Sequence, residues 1–362
     1  MEGRDAGRRL LVGLASLSLL AGCGAGASPT PLPASPTPAS VPSAAVATPT
    51  PTPAPTPVTY GPVTLVSGTH RCPGLNPDWT QDPDDTWQVR DLPIDCTDTT
   101  DDPRVSGTHT ASANMDVWGN PDAGRGAGVQ WASVRLENDG GAWEGRQLGV
   151  WSLPGRGDIM VFWYRGTGGY EGLSYFELIT GSEPWTIQGQ IFPGDPPPPY
   201  SEGTTLTRLE ADGPVAEDAV AVVTGRATCP TGDFGTPTTD ADGVHHYRDM
   251  LWTCKVRTDD PRVTGTEIAP WNQDLWGTFE EGTRMPVSGA AVQWGTARLE
   301  NDGGAWEGTG SGVWSSDRGD IIAFWYKGTG AYEGLSYFEL WTGRYEPWKI
   351  QGQIFPGDPP TP

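Results

Sequence analysis

The chain carries one stretch of sequence twice. Residues 129–197, beginning VQWASVRLENDGGAWEG, return as residues 292–359, beginning VQWGTARLENDGGAWEG. Upstream, TDDPRVSGT at Thr100 recurs as TDDPRVTGT at Thr258, and DVWG at Asp116 recurs as DLWG at Asp274. The duplication predicts one domain over 59–199 and a second over 216–362, joined by a linker at 200–215. Each unit is long enough to bury its own core. The repeat also supplies an internal control, because positions that differ between copies show which face of a strand tolerates change.

Inside each copy, short runs of Trp, Ile, Val and Tyr alternate with Gly- and Pro-rich turns, and helix-period patterns are absent. Strands are expected in the first copy near 63–69, 89–94, 105–110, 129–137, 142–151, 159–165, 173–180 and 185–192. Asn138-Asp139-Gly140-Gly141 reads as a hairpin turn, as do GTGGY at Gly166 and GTGAY at Gly328. Successive hairpins make an antiparallel meander. The predicted class is therefore all-β: two tandem antiparallel β-barrel domains, calycin-like, with about eight strands each.

The copies then sort the faces. Arg146 and Leu148 become Thr309 and Ser311, which points them outward and turns Trp143, Gly145, Gly149 and Trp151 inward, with Trp306, Gly308, Gly312 and Trp314 in the second copy. Thr186 becomes Lys349, which places Trp185 and Ile187 inside. Ile159, Val161 and Trp163 form the more apolar face of their strand. Ile179 becomes Trp341, read as an exterior swap that leaves Ser174, Phe176 and Leu178 facing in. On this assignment the interior is aromatic and holds no carboxylate. If it is reversed for the strand 173–180, Glu177 with Tyr175, and Glu339 with Tyr337, become buried pairs.

Five cysteines set the compartment. Cys72 and Cys96 fall in one copy, Cys229 and Cys254 in the other, with near-equal spacing; this predicts one disulfide per copy in an exported protein. A zinc site is the weaker reading, since the cysteines lack CxxC spacing and none of His70, His109, His245 and His246 is matched between copies. Ahead of Cys23 lie Arg4, Arg8 and Arg9 and an apolar run from Leu10 to Leu20, too short to span a bilayer. Residues 1–22 thus read as a signal peptide. The Leu20-Ala21-Gly22-Cys23 ending resembles the lipobox of bacterial lipoproteins, which implies a lipid on Cys23 and a place at the cell membrane on its extracytoplasmic face.

Residues 23–58 are Pro-, Thr- and Ala-rich and carry no charge, the composition of a disordered stalk. Fully extended as polyproline, such a segment reaches on the order of 100 Å. The formal net charge is −22, and removing Glu2 and Asp5 against Arg4, Arg8 and Arg9 (net +1) leaves −23 on the remainder. A surface this acidic repels phosphate backbones, so nucleic acid is not an expected partner.

The run LENDGGAWEG…GVW…RGDI…FWYKGTGAYEGLSYFEL…W.IQGQIFPG is similar to the barrel shared by allene oxide cyclases, dirigent proteins and related bacterial families. The resemblance covers the second half of each copy and implies the barrel, without a position to which a catalytic residue transfers. Arg156-Gly157-Asp158 and Arg318-Gly319-Asp320 spell an integrin tripeptide, but each precedes a strand and reads as a tight turn. No Ser–His–Asp or Cys–His set has both members matched in the copies. No catalytic residue, metal or cofactor is therefore expected. The expected role is binding: a small apolar ligand held by Trp143, Trp151, Trp163, Trp185 and Phe176, and by Trp306, Trp314, Trp325, Trp348 and Phe338. The alternatives are a surface glycan stacked on Trp131, Trp294 or Trp341, and a barrel enzyme of cyclase or isomerase type.

Overall fold

The computed structural model describes residues 56–360 except 75–76, 84, 154–155, 201–218 and 279–286. The signal segment, Cys23, nearly all of the stalk and the linker beyond Tyr200 lie outside the described residues.

The first repeat consists of β1 (Val58–Tyr60), β2 (Val63–Arg71), β3 (Thr80–Gln81), β4 (Thr86–Thr100), β5 (Gly107–Asn120), β6 (Arg125–Asn138), β7 (Gly141–Leu153), β8 (Gly157–Gly168), β9 (Leu173–Gly181) and β10 (Trp185–Pro193). Strands β4 to β10 form a meander in which each pairs antiparallel with the next; β2 pairs with both β10 and β4 and closes the ring. The second repeat follows the same plan. Its strands are β11 (Ala221–Asp233), β12 (Thr238–Thr239), β13 (His245–Thr258), β14 (Gly265–Thr278), β15 (Ser288–Asn301), β16 (Gly304–Ser315), β17 (Gly319–Gly330), β18 (Leu335–Gly343) and β19 (Trp348–Pro356). Here β11 closes the ring between β19 and β13. Each repeat is a closed eight-stranded barrel, with no open edge among the ring strands.

Local chemistry explains the turns. In the NDGG turn, Asn138 donates through Nδ2 to the carbonyls of Pro103, Arg104 and Ser106, tying the β6–β7 hairpin to the short 3-10 turn Pro103–Val105. Asp102 caps that turn by accepting from Arg104 N at 2.9 Å. Gly140 is required by close approach, since a Cβ there would lie 2.3 Å from the Tyr170 hydroxyl. Asn301, Asp260 and Gly303 repeat the arrangement in the second barrel.

Cys72 in the loop after β2 is bonded to Cys96 of β4, and Cys229 of β11 to Cys254 of β13. Each bond cross-links neighbouring strands at the seam where the ring closes. Replacing Cys72→Ser with Cys96→Ser is expected to cost about 3 kcal/mol, the loop-entropy value for a loop of this length. Thermal unfolding with a thiol count checks it; an unchanged melt with free thiols in the parent chain would contradict it.

The faces of β8 and β9 are the reverse of the sequence expectation. Met160, Phe162, Tyr164, Tyr175, Glu177 and Ile179 point into the first barrel, while Ile159, Val161, Trp163, Phe176 and Leu178 point outward. The outward residues are nonetheless buried. With Val129, Trp131, Leu148 and Val150 they form one apolar cluster with Val292, Val313, Ile321, Ala323, Trp325, Phe338 and Leu340 of the second barrel. The two barrels pack outer face to outer face, so both faces of β8 and β17 are covered and both are apolar.

This interface has an internal two-fold logic. Arg156 donates to Gly352 O at 2.8 Å, and its counterpart Arg318 donates to Gly189 O at 2.9 Å. Gln190 donates to Ala291 O and Gln353 to Gly128 O, again the same contact with the copies exchanged. Trp118 stacks on Phe355, and Phe192 lies 6.4 Å from Trp276. Such reciprocity is the signature of an isologous interface. The arginines of both RGD sequences are spent inside it.

Candidate functional site

The barrels share a frame but differ in what fills them. At the open end of the first, Asp158 of β8 accepts from Gln130 Nε2 at 3.1 Å and from Trp185 Nε1 at 2.8 Å. Asp320 repeats this with Gln293 and Trp348, both at 2.8 Å. Burial raises both carboxyls, Asp320 to about 6. Deeper down, Trp143 and Trp306 donate to the Arg104 and Arg262 carbonyls and stack on Tyr170 and Tyr332. These features occur in both barrels and form the common scaffold.

Below that scaffold the interiors diverge. Across β4, β5, β6, β7 and β9 the first barrel presents Ile94, Ala113, Ala132, Gln147 and Ile179, where the second has Trp252, Trp271, Gly295, Gly310 and Trp341. Trp271 lies across the two glycines: a Cβ on Gly295 would come within 2.5 Å of its ring, and one on Gly310 within 3.0 Å. It bonds Gln293 Oε1 at 3.1 Å and packs on Phe324 and Trp252. Trp341 packs on Phe324 and on Trp348.

The first barrel consequently holds a cavity of about 430 Å³, and the second one of about 220 Å³. The larger runs inward from exposed Leu153, Ser182 and Glu183 at its rim. Leu92, Ile94, Val134, Met160 and Phe162 are among its walls, and His70 and His109 also line it. Among the described residues lining it, Gln147 is 4 % exposed, and its buried Nε2 has no hydrogen-bond partner.

Of the residues expected to bind, Trp151 and Trp185 line the first cavity, and Trp314 and Trp348 the second. Trp143 and Trp306 are core residues beneath them. Trp163, Phe176, Trp325 and Phe338 line neither cavity and belong to the interface between barrels, a correction that follows from the reversed faces of β8 and β9. Trp131 and Trp341 are buried, and the Arg248 guanidinium covers the half-buried Trp294 ring at 5.0 Å. None of the three offers a free face to a sugar.

The interior also holds acids, Glu177 and Glu339, which the expected faces of their strands put outside, and Glu267. Glu177 is 0 % exposed and accepts from Tyr164 Oη at 3.1 Å; Glu339 is equally buried, and Glu267 accepts from Tyr326 Oη at 3.1 Å. Burial pushes all three carboxyls well up, Glu339 to about 8, and keeps the tyrosines protonated. They lie behind the cavity walls and do not line either space. Three further polar residues meet here, His70, Asp98 and His109; in the sequence both histidines were set aside as metal ligands because neither is matched in the second copy. The mismatch is itself the signal, since it marks a feature peculiar to one barrel. Searches of protein-family models, of curated proteins and of solved structures find no match to this chain.

Proposed function

We propose that this protein is a lipid-anchored, extracytoplasmic binding protein that carries one small, largely apolar ligand in its first barrel. The observation that carries this reading is the asymmetry between the copies. The same scaffold holds about 430 Å³ of open space in one and, narrowed by tryptophans, about 220 Å³ in the other. A volume of about 430 Å³ falls in the range of small-molecule sites, and its apolar walls with few polar groups fit such a ligand. Gln147 Nε2 asks that ligand for a hydrogen-bond acceptor, such as a carbonyl oxygen. The second barrel acts as a support, contributing half of the shared apolar interface. Lipid on Cys23 and the proline-rich stalk would hold the pair away from the membrane surface.

The test is titration of the full chain with the neutral fluorophore N-phenyl-1-naphthylamine. Wild type is expected to enhance its emission with one site per chain. The exchange Ala113→Trp, Ala132→Gly and Gln147→Gly, which installs the second barrel's own packing, is expected to abolish the enhancement while the fold persists. Equal enhancement by both proteins would place the site elsewhere and sink the reading.

A further inference from the structure

Beside the cavity of the first barrel three side chains from neighbouring strands converge. His70 of β2 is the cross-strand partner of Asp98 of β4, and His109 follows on β5, opposite Cys96. All three are buried. His70 Nδ1 lies 2.5 Å from one Asp98 oxygen and His109 Nδ1 lies 3.2 Å from the other. One ligand atom from each residue falls within 4.8 Å of the other two.

His70 Nε2 lies 2.9 Å from Cys72 Sγ, a sulfur of the disulfide. On the other side each Nδ1 faces one oxygen of the same carboxylate, so two imidazole nitrogens and a carboxylate turn toward one another in a buried space. With Nδ1 deprotonated, these three groups are a ligand set for a cation.

We propose that His70 Nδ1, His109 Nδ1 and the Asp98 carboxylate bind a divalent first-row transition-metal ion. Imidazole nitrogen with carboxylate oxygen suits zinc, iron, cobalt or nickel better than magnesium or calcium. Three protein ligands leave a coordination position for water or a ligand group arriving through the cavity, which both histidines line. Binding the ion through Nδ1 leaves the His70 proton on Nε2, which faces Cys72 Sγ at 2.9 Å.

The second barrel is the control. Ala227, Val256 and Glu267 stand where the first has His70, Asp98 and His109, and none of the three lines the smaller cavity of the second barrel. The disulfide beside the cluster occurs in both barrels, so that cross-link does not require the cluster. The three polar residues accompany the larger cavity and are missing from the barrel with the smaller one. The ion does not depend on the apolar ligand, because water can complete its coordination.

The experiment uses the full chain without a histidine tag, stripped with chelator and dialysed against Zn²⁺ or Co²⁺. Elemental analysis should find one ion per chain, and Co²⁺ should give visible d–d bands. The exchange His70→Ala, Asp98→Val and His109→Glu, which copies the second barrel, should lose the ion and keep its melting transition. His109→Gln, closer in volume, should weaken affinity by more than about a hundredfold, beyond the usual loss for an outer-shell partner. No retained ion in the wild type would overturn the proposal. So would an ion retained equally by either variant, which would locate it at another site such as His246 with Asp240 and Asp274.

Discussion

Raising the pH from about 5 to about 8 is expected to destabilise the second barrel by several kcal/mol, and Glu339→Gln is expected to remove much of that dependence. The cause is burial. In the unfolded chain the Glu339 carboxyl titrates near 4.5, and in the folded barrel it is pushed up to about 8. Below 4.5 both states hold the proton, so the acid imposes no penalty. Between the two values the unfolded chain releases its proton while the folded chain keeps it, and the equilibrium moves toward unfolding. Above the folded value both states are ionised and the loss levels off. A gap of this size corresponds to on the order of 5 kcal/mol. Glu267, raised by burial and then by the charge on Glu339, steepens the same slope. Glutamine keeps the shape and removes the proton. Urea midpoints at pH 5 and pH 8 for both proteins measure the effect; parallel behaviour would show that Glu339 is not held neutral.

The second large effect is expected at Trp163. The sequence assigned it to a ligand pocket, whereas the structure seats it in the cluster shared by both barrels. It lies 4.8 Å from Phe176, 6.1 Å from Phe192 and 5.7 Å from Tyr200. Trp163→Ala removes a large side chain that is 2 % exposed and should cost roughly 3–5 kcal/mol. For a protein of this size the melting temperature should fall by on the order of 10 °C. Because the cluster belongs to both barrels, the two should lose stability together, and probe binding in the first barrel should survive below the new transition. An unchanged melt would contradict the shared interface. Loss of binding in a still-folded chain would return Trp163 to the ligand site.

What was legible in the sequence was the frame. The eight strands expected in the first copy correspond one to one with β2 and β4 to β10, because Gly- and Asn-bearing turns bound them. The faces of β7 and β10 were legible too, since Arg146→Thr309 and Thr186→Lys349 are exchanges that a packed interior resists. The faces of β8 and β9 were not. Residues 159–164 read IMVFWY, apolar on both sides, and alternation carries no direction when the outer face is covered by another barrel. The exchange of Ile179 for Trp341 suggested a surface, yet it happens in the interior. There the cores differ in concert: Trp271 lies over Gly295 and Gly310, where the first barrel has Ala113, Ala132 and Gln147. A covarying set of distant positions looks random until the ring brings them together. The same holds for His70, Asp98 and His109, which lie on three strands and meet only when the barrel closes.

The most direct measurement is native mass spectrometry of the full chain, exported to an oxidising compartment and compared with the same sample denatured. The expected result is a single non-covalent adduct per chain, on the order of a few hundred daltons, held in the wild type and absent from the Ala113→Trp, Ala132→Gly, Gln147→Gly exchange. Two adducts per chain, or one that persists in the exchanged protein, would contradict the assignment of the first barrel as the binding site and the second as its support.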